Sequence, residues 1–387
     1  MSVYALILAA GFSTRMKSRF KPLLPLPLPG ETRTALAAVC GLYRSEGVIP
    51  IVIGGNKAEE TRRETSALNA AFALNEHPEC GMFSSIRAGA AALPKDCSMF
   101  FVHPVDIPLV RRMTVRSLLD AARGRERDAF IPTYQGQTGH PPLLPASVKD
   151  DALRIGNSGC LRDIMNALSP IMVPVADAFI LRDMDTQEDY ESMRALAPLQ
   201  QFLSPEEAQE LLRVRHVQER GQRHCLAVGL VAARFASALN QARSARGETT
   251  LRESLAQAGG ICHDVCKGEP HHEAAAGRLF RGWGMDAMAH LVEDHRDMTL
   301  SPEKPITERE LVFLADKYVR GNSPVPLKER FYSKMACYPD DPDAVAAIAG
   351  RMERAMAMEE RLKTETGQDP EVLAREALEA ASRRYDS

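Results

Sequence analysis

The feature that most constrains this chain is a change of pattern near residue 197. Before it, short apolar runs alternate with stretches of helical periodicity; after it, strand signals cease. The runs Val3–Ala9, Ile49–Gly54, Ala71–Asn75, Ser98–Val102, Ala129–Pro132 and Ile171–Val175 read as strands. Thr34–Ser45, Lys57–Ser66, Phe83–Ala92, Thr114–Arg123, Cys160–Leu168 and Gln187–Ala195 read as helices. Strands alternating with helices imply a mostly parallel, Rossmann-like α/β sheet covered on both faces. Ligands of such sheets sit beyond the carboxyl ends of the strands.

The second half opens on a strong helix start. Ser204-Pro205-Glu206-Glu207 supplies a cap, a proline at the first helical position and acids in the first turn. Apolar residues then recur at helical spacing through Val231–Leu239, Leu279–Leu291, Leu311–Val319 and Ala344–Met358, so this half is expected to be all-α. Leu196–Leu203 is the junction. The expected domains are 1–197, 204–335 and a C-terminal helical extension, 336–387, whose residues 340–387 read as solvated amphipathic helices without chemistry.

Composition narrows the classes. Of 387 residues, 45% are hydrophobic and 26% charged, which excludes wholesale disorder, collagen and a coiled-coil rod. The net charge of −3 leaves no electrostatic footprint for nucleic acid. No apolar run approaches the roughly 20 residues that span a bilayer, so no membrane segment is expected. The opening apolar stretch runs into a Gly turn without a basic n-region and reads as a buried strand, not a signal peptide. The 8 scattered cysteines are then expected to be reduced thiols in a cytoplasm. Cys262 and Cys266 flank His263-Asp264, but no second Cys pair follows, so a structural zinc is the lesser reading.

In the first half, Leu8-Ala9-Ala10-Gly11-Phe12-Ser13-Thr14-Arg15-Met16 carries a strand into a loop, and Lys21 follows. Backbone N–H groups of such a loop can cradle phosphate, and Arg15 and Lys21 can neutralise it; an ordinary turn with two surface cations is the alternative. Asp106 follows an apolar strand, and Asp185 lies where a loop meets a helix. Phosphoryl and nucleotidyl transfer need such carboxylates for Mg²⁺, while helix capping by Asp185 or Thr186 is the plain alternative.

These residues resemble the molybdenum cofactor cytidylyltransferases of the MobA-like nucleotidyltransferase group. The likeness runs through Leu8–Met16 with Lys21, Gly81–Gly89, Asp106-Ile107-Pro108-Leu109, Gly139-His140-Pro141 and Asp185–Asp189. It implies that Leu8, Ala9, Ala10, Gly11, Ser13, Ser84 and His140 face nucleotide or substrate, that Arg15 and Lys21 contact phosphates, and that Asp106 and Asp185 hold Mg²⁺. It also implies CTP, through Ala10, where guanylyl-transferring relatives carry Gly; a methyl there is expected to crowd the base. Departures are Lys17 for the usual Gly, the proline-rich Lys21–Gly30, and Asn157 within Gly156-Asn157-Ser158-Gly159 where Asp is usual.

Seven of the ten histidines fall between His216 and His295. His263-Asp264 ends an apolar stretch, and adjacent residues at a helix end can converge on one metal. Imidazole plus carboxylate suits a catalytic divalent metal with open positions; His216 and His290 read as ordinary helix residues. The order His224, His263-Asp264, His272, His295, Asp316 resembles the HD-domain metal-dependent phosphohydrolases. The likeness implies His224, His263, Asp264 and Asp316 as metal ligands, and Lys267 near substrate phosphate. His272 and His295 then serve a second metal or the phosphate, with His271 an alternative to His272. Mn²⁺ or Fe²⁺ is the expected metal.

The expected protein is therefore a cytidylyltransferase acting on CTP and molybdopterin cofactor, joined to a phosphohydrolase. A molybdenum hydroxylase or its maturation factor is the implied partner. Another phosphorylated acceptor, such as a sugar phosphate, and a nucleotide sensor without turnover stay open as alternatives.

Overall fold

Side chains of strand β1 (Ser2–Ala9) alternate between two cores. The computed structural model describes residues 2–16, 19–157, 159–301 and 303–385, and the chain divides into two units, Met1–Gln200 and Gln201–Ser387.

The first unit continues through β2 (Pro25–Leu28), β3 (Glu31–Thr34), α1 (Ala35–Ser45), β4 (Ile49–Gly54), α2 (Ala58–Ala67), β5 (Ala71–Leu74), α3 (Met82–Ala92), β6 (Cys97–Pro104) and α4 (Arg112–Ala121). Then come β7 (Phe130–Tyr134), β8 (Gln137–Thr138), β9 (Leu143–Pro145), α5 (Val148–Ile155), α6 (Leu161–Leu168), β10 (Ile171–Pro174) and α7 (Gln187–Leu196). The main sheet has the order β10-β7-β9-β6-β1-β4-β5, with β8 paired to β7. It is parallel except at β8 and β9, which run antiparallel to their neighbours. Ala5, Ile7 and Ala9 of β1 face Leu36, Val39 and Tyr43 of α1 and Leu118 of α4. Leu6 and Leu8 face Phe83 and Ile86 of α3 and Val148 of α5. This is the two-faced covering that alternating strands and helices dictate.

The proline-rich segment was not legible as structure. It forms a separate hairpin, β2–β3, turning at Gly30 with φ +86°. Leu24 and Leu26 then join Met16, Leu109, Met184 and Tyr190 in a small third core beneath the loop that follows β1.

The second unit holds α8 (Pro205–Val214), α9 (Glu219–Ala245), α10 (Glu253–Cys262), α11 (His272–Gly282), α12 (Asp286–Val292) and α13 (Glu308–Lys317). A two-residue-per-strand hairpin, β11 (Val319–Arg320) and β12 (Ser323–Pro324), interrupts the all-helical expectation before α14 (Leu327–Met335), α15 (Pro342–Thr366) and α16 (Pro370–Tyr385). Ser204 caps α8 in a reciprocal box with Glu207. The core is built on α9, whose Val228, Val231, Phe235 and Leu239 meet Leu311 and Leu314 of α13. Ile348, Met358 and Leu362 of α15 and Leu373 of α16 enter the same core, so these helices are not merely solvated. Contrary to the sequence reading, α9 is long and apolar enough to cross a membrane; 56% of its apolar window is buried within the unit, as its central position requires.

Candidate active sites

In the first unit, β1 releases the chain at Ala9. Leu8, Ala9 and Ala10 are buried, so only their backbone can face a nucleotide. The Ala10 methyl is turned inward: a Cβ built on Gly55 would lie 2.8 Å from it. The close passage of Gly55 thus packs against this methyl. Gly11 opens onto free space. Ser13, at φ +52°, accepts a hydrogen bond from the Lys21 backbone N–H at 3.2 Å, and Met16 anchors the loop in the third core.

Lys21 is the centre of this site. Its Nζ lies 3.1 Å from Asp106 Oδ2 and 2.6 Å from Asp185 Oδ1, while Arg15 Nη1 lies 2.8 Å from Asp185 Oδ2. Burial would lower the Lys21 pKa, but its bonds to Asp185 and Asp106 override that and raise it. Asp185 is held below the usual carboxylate range, chiefly by Lys21. The Met184 N–H donates to the Asp106 carbonyl at 2.9 Å, fastening the two acidic loops together. Thr186, not Asp185, caps α7 in a reciprocal box with Asp189, which leaves Asp185 available. Asp183, not singled out from the sequence, feels this group: burial, then Asp185 and Asp106, push its pKa up. Two carboxylates meeting around one cation form a hard-oxygen donor set that fits Mg²⁺.

Two expected residues behave differently. Ser84 is buried; its hydroxyl lies 2.8 Å from the carbonyls of His77 and Gly81 and accepts from Asn75 Nδ2 at 2.8 Å. At the start of α3 it shapes the turn and is not free for substrate. His140 instead lines a cavity of about 920 Å³ with Met82, Phe83, Arg162 and Asn166, and its buried Nδ1 has no hydrogen-bond partner. Asn157 accepts a hydrogen bond from Arg87. Lys17 and Ser158 lie outside the described residues.

Sequence reasoning also missed a buried relay behind Asp106. Tyr43 Oη lies 2.8 Å from His103 Nδ1, and His103 Nε2 lies 3.0 Å from the Ile107 carbonyl. A neutral His103 with its proton on Nε2 satisfies both contacts. Burial lowers its pKa to about 4. The only signal was a polar residue inside the apolar run before Asp106.

In the second unit, α9 and α10 cross with almost no side chain between them. A Cβ on Gly260 would lie 2.7 Å from the Gly229 Cα. This brings His224 on α9 towards His263 and Asp264 at the end of α10. His224 Nδ1 lies 2.9 Å from the Gly321 carbonyl, His263 Nδ1 2.6 Å from that of Gly260, and His295 Nδ1 2.7 Å from that of Val292. Each Nδ1–H donates outward, so each Nε2 is the ring nitrogen turned inward, free to bind a metal when deprotonated.

Those nitrogens face carboxylates. His224 Nε2 is 3.4 Å from Asp316 Oδ1 and 3.9 Å from Asp264 Oδ2. His263 Nε2 is 3.5 Å from Asp264 Oδ2 and 3.8 Å from Asp316 Oδ1, buried and without a hydrogen bond. Asp264 Oδ1 lies 3.0 Å from His272 Nε2 and 3.5 Å from His295 Nε2, so its two oxygens serve two subsites. An orphaned imidazole nitrogen among carboxylate oxygens fits a divalent cation. The geometry selects His272, which starts α11, over His271, which is exposed at φ +49°. Burial would raise the Asp264 pKa, but the surrounding histidines hold it far below the usual range. Lys267 contacts Asp264 Oδ2; Lys317 Nζ and Arg330 Nη2 hold Asp316 at 2.9 and 3.0 Å.

Comparison with known proteins agrees with this division. Residues 5–171 match the MobA-like NTP transferase domain, and residues 221–321 match the HD domain. The bifunctional enzyme IspD/IspF of Nitratidesulfovibrio vulgaris is 25% identical over 201 residues, 49% of this chain and 46% of the relative. The bifunctional protein GlmU of Rhizorhabdus wittichii is 30% identical over 127 residues, 33% of this chain and 27% of the relative. The chain thus spans less than half the length of these curated relatives. Among solved structures, Rv0371c of Mycobacterium tuberculosis aligns at 23% identity over 50% of this chain and 98% of its own, with TM-score 0.44. Molybdopterin-guanine dinucleotide biosynthesis protein A of Archaeoglobus fulgidus aligns at 16% identity over 51% and 98%, with TM-score 0.39.

Proposed function

Because the chain carries a MobA-like NTP transferase domain at residues 5–171 and an HD domain at residues 221–321, we propose that it is a two-site enzyme. The first unit transfers a cytidylyl group from CTP to molybdopterin cofactor, and the second hydrolyses a phosphate ester or nucleotide. The observation that carries the first assignment is the meeting of Asp106 and Asp185 around Lys21.

In the transfer, a phosphate oxygen of the acceptor bonds to the α-phosphorus of CTP. The bond from that phosphorus to the bridging oxygen breaks, and its electron pair leaves with pyrophosphate. Lys21 and Arg15 neutralise the phosphates, and the backbone of Leu8–Gly11 and Ser13 frames the nucleotide. Mg²⁺ held by Asp106 and Asp185 would add charge stabilisation. The cavity beside His140, walled by Phe83 and Met82, suits a flat ring system such as the pterin. In the hydrolysis, a water oxygen bonds to phosphorus and the ester P–O bond breaks. The leaving oxygen takes a proton released from the water. A metal such as Mn²⁺ or Fe²⁺ held by His224, His263, Asp264 and Asp316 would polarise the phosphoryl oxygen and acidify water. Lys267 lies near the phosphate, and His272 and His295 serve a second cation or the phosphate itself. The product's recipient would be a molybdenum hydroxylase or its maturation factor, in a cytoplasm that suits the eight unpaired cysteines.

The test is an acceptor screen with α-labelled CTP and GTP, Mg²⁺ and the full chain. Label transfer to molybdopterin, with CTP favoured and pyrophosphate released, is expected. One other reading is a different phosphorylated acceptor, such as a sugar phosphate, and transfer only to that acceptor would establish it. Saturable CTP binding without transfer to any acceptor would make the unit a sensor.

A further inference from the structure

Of the HD-unit cluster, His224 and Asp264 line a cavity of about 1040 Å³, large for a bare phosphate and sufficient for a nucleotide. Its walls carry more positive charge than the metal ligands use. Arg215 is paired with Glu269 at 3.3 Å, and Arg320 with Glu329 at 3.6 Å. Lys267 and Arg330 are engaged by Asp264 and Asp316. Two wall cations are different: Arg220 and Lys334, both exposed at the cavity mouth, have no acidic partner among the described residues.

Their positions are related. Arg220 lies one helical turn before His224 on α9, and Lys334 lies one turn after Arg330 on α14, which itself holds Asp316. All four line the same cavity. Residues four apart share a helix face, about one 5.4 Å turn from each other. Arg220 is thus about one turn from the candidate ligand His224, and Lys334 about one turn from the arginine that holds the candidate ligand Asp316. Lys334 is further crowded by like charge: burial, then Arg351, Arg296, Arg330 and Lys317, depress its pKa. Cations on one cavity without a counter-charge suit an anion, and the partly exposed Val217 supplies apolar wall for the remainder of a ligand.

We propose that Arg220 and Lys334 form a second anion subsite, so that the HD unit takes phosphate esters bearing two phosphate groups, one at the His-Asp cluster and one about a helical turn away. This rests on the reading of the HD unit as a phosphohydrolase. The second phosphate can come from a linear diphosphate or from a separate position on a sugar, and both belong in the test.

The experiment measures phosphate release by the full-length, Mn²⁺-loaded protein from AMP, ADP and adenosine 3′,5′-bisphosphate. We expect kcat/KM for at least one two-phosphate substrate to exceed that for AMP by about tenfold or more. Preference for ADP identifies the linear source, and preference for the bisphosphate the separated one. Lys334→Gln and Arg220→Gln should each remove most of that preference, acting on KM, while AMP turnover falls far less. Lys328→Gln, exposed on the same helix as Lys334 and outside the cavity, should change neither. Equal kcat/KM for all three substrates, or equal losses for AMP and the two-phosphate substrates in the variants, would overturn the subsite. Absence of phosphate release with any substrate would defeat the hydrolase reading instead. Calorimetric titration then decides the subsite alone: tighter binding of a two-phosphate compound than of AMP, lost in Lys334→Gln, upholds it, and indistinguishable binding rejects it.

Discussion

The two sites surround their carboxylates differently. In the first unit an ammonium already stands between Asp106 and Asp185, so the acids are neutralised by the chain itself. In the second, Asp264 and Asp316 face imidazole nitrogens whose protons are turned away to backbone carbonyls. Cations serve both sites, since Lys267 contacts Asp264 and Lys317 and Arg330 hold Asp316, but only the second adds an imidazole nitrogen, His263 Nε2, that is buried without a hydrogen bond. If each site takes the metal proposed for it, the first should fold without it, while the second, with His263 Nε2 unsatisfied at its centre, should gain stability from it.

The largest effect should come from setting the sites against each other. Asp106→Asn should lower cytidylyl transfer by about a thousandfold or more and leave HD hydrolysis near its starting rate, while Asp264→Asn should do the reverse. Parallel assays of pyrophosphate and phosphate release check this, and joint loss of both activities in either variant would break the comparison.

Chelation should give the next largest effect. A metal present at about a thousand times its Kd stabilises by about 4 kcal/mol, about 10 °C for a unit of this size. Calorimetry before and after treatment with a chelator should show the HD-unit transition falling by about that much, with the transferase-unit transition nearly unmoved. Equal shifts in both would erase the distinction.

The smallest effect sharpens the description of the first site. His103 has its folded pKa lowered to about 4 by burial. The unfolded chain binds that proton more readily, so stability is full above about pH 6.5 and declines as pH falls towards 4. The decline totals about 3 kcal/mol. In His103→Asn this acid limb should flatten while Mg²⁺ affinity weakens, because the Ile107 carbonyl loses its donor. Unfolding curves across that window and a Mg²⁺ titration test both parts; an unchanged acid slope would exclude the assignment.

How much of this was legible depended on periodicity. The strands through Ile171–Val175 and the flanking helices announced themselves because their faces repeat at 2.0 or 3.6 residues. The β2–β3 hairpin did not, since prolines at 25 and 27 read as loop. Strand β9 is only three residues long, too short for a pattern. Arg15, Lys21, Asp106, Asp185 and the His-Asp cluster were named from residue type, order and family likeness, and the fold brings each set together. Ser84 was misjudged because order cannot reveal that Asn75, His77 and Gly81 surround its hydroxyl. The Tyr43–His103–Ile107 relay was invisible for the same reason: its members are 60 and 4 residues apart and meet only through tertiary packing.

The crossing at Gly229 and Gly260 sets a mechanical tolerance. Side chains normally act as compliant spacers between helices, adjusting rotamers to absorb small displacements. Here main chain rests on main chain, so the separation of the segments bearing His224 and His263 is fixed by atoms with no rotamers. A single added methyl at Gly260 would wedge the joint apart, and the error would pass to the ligand cluster undamped.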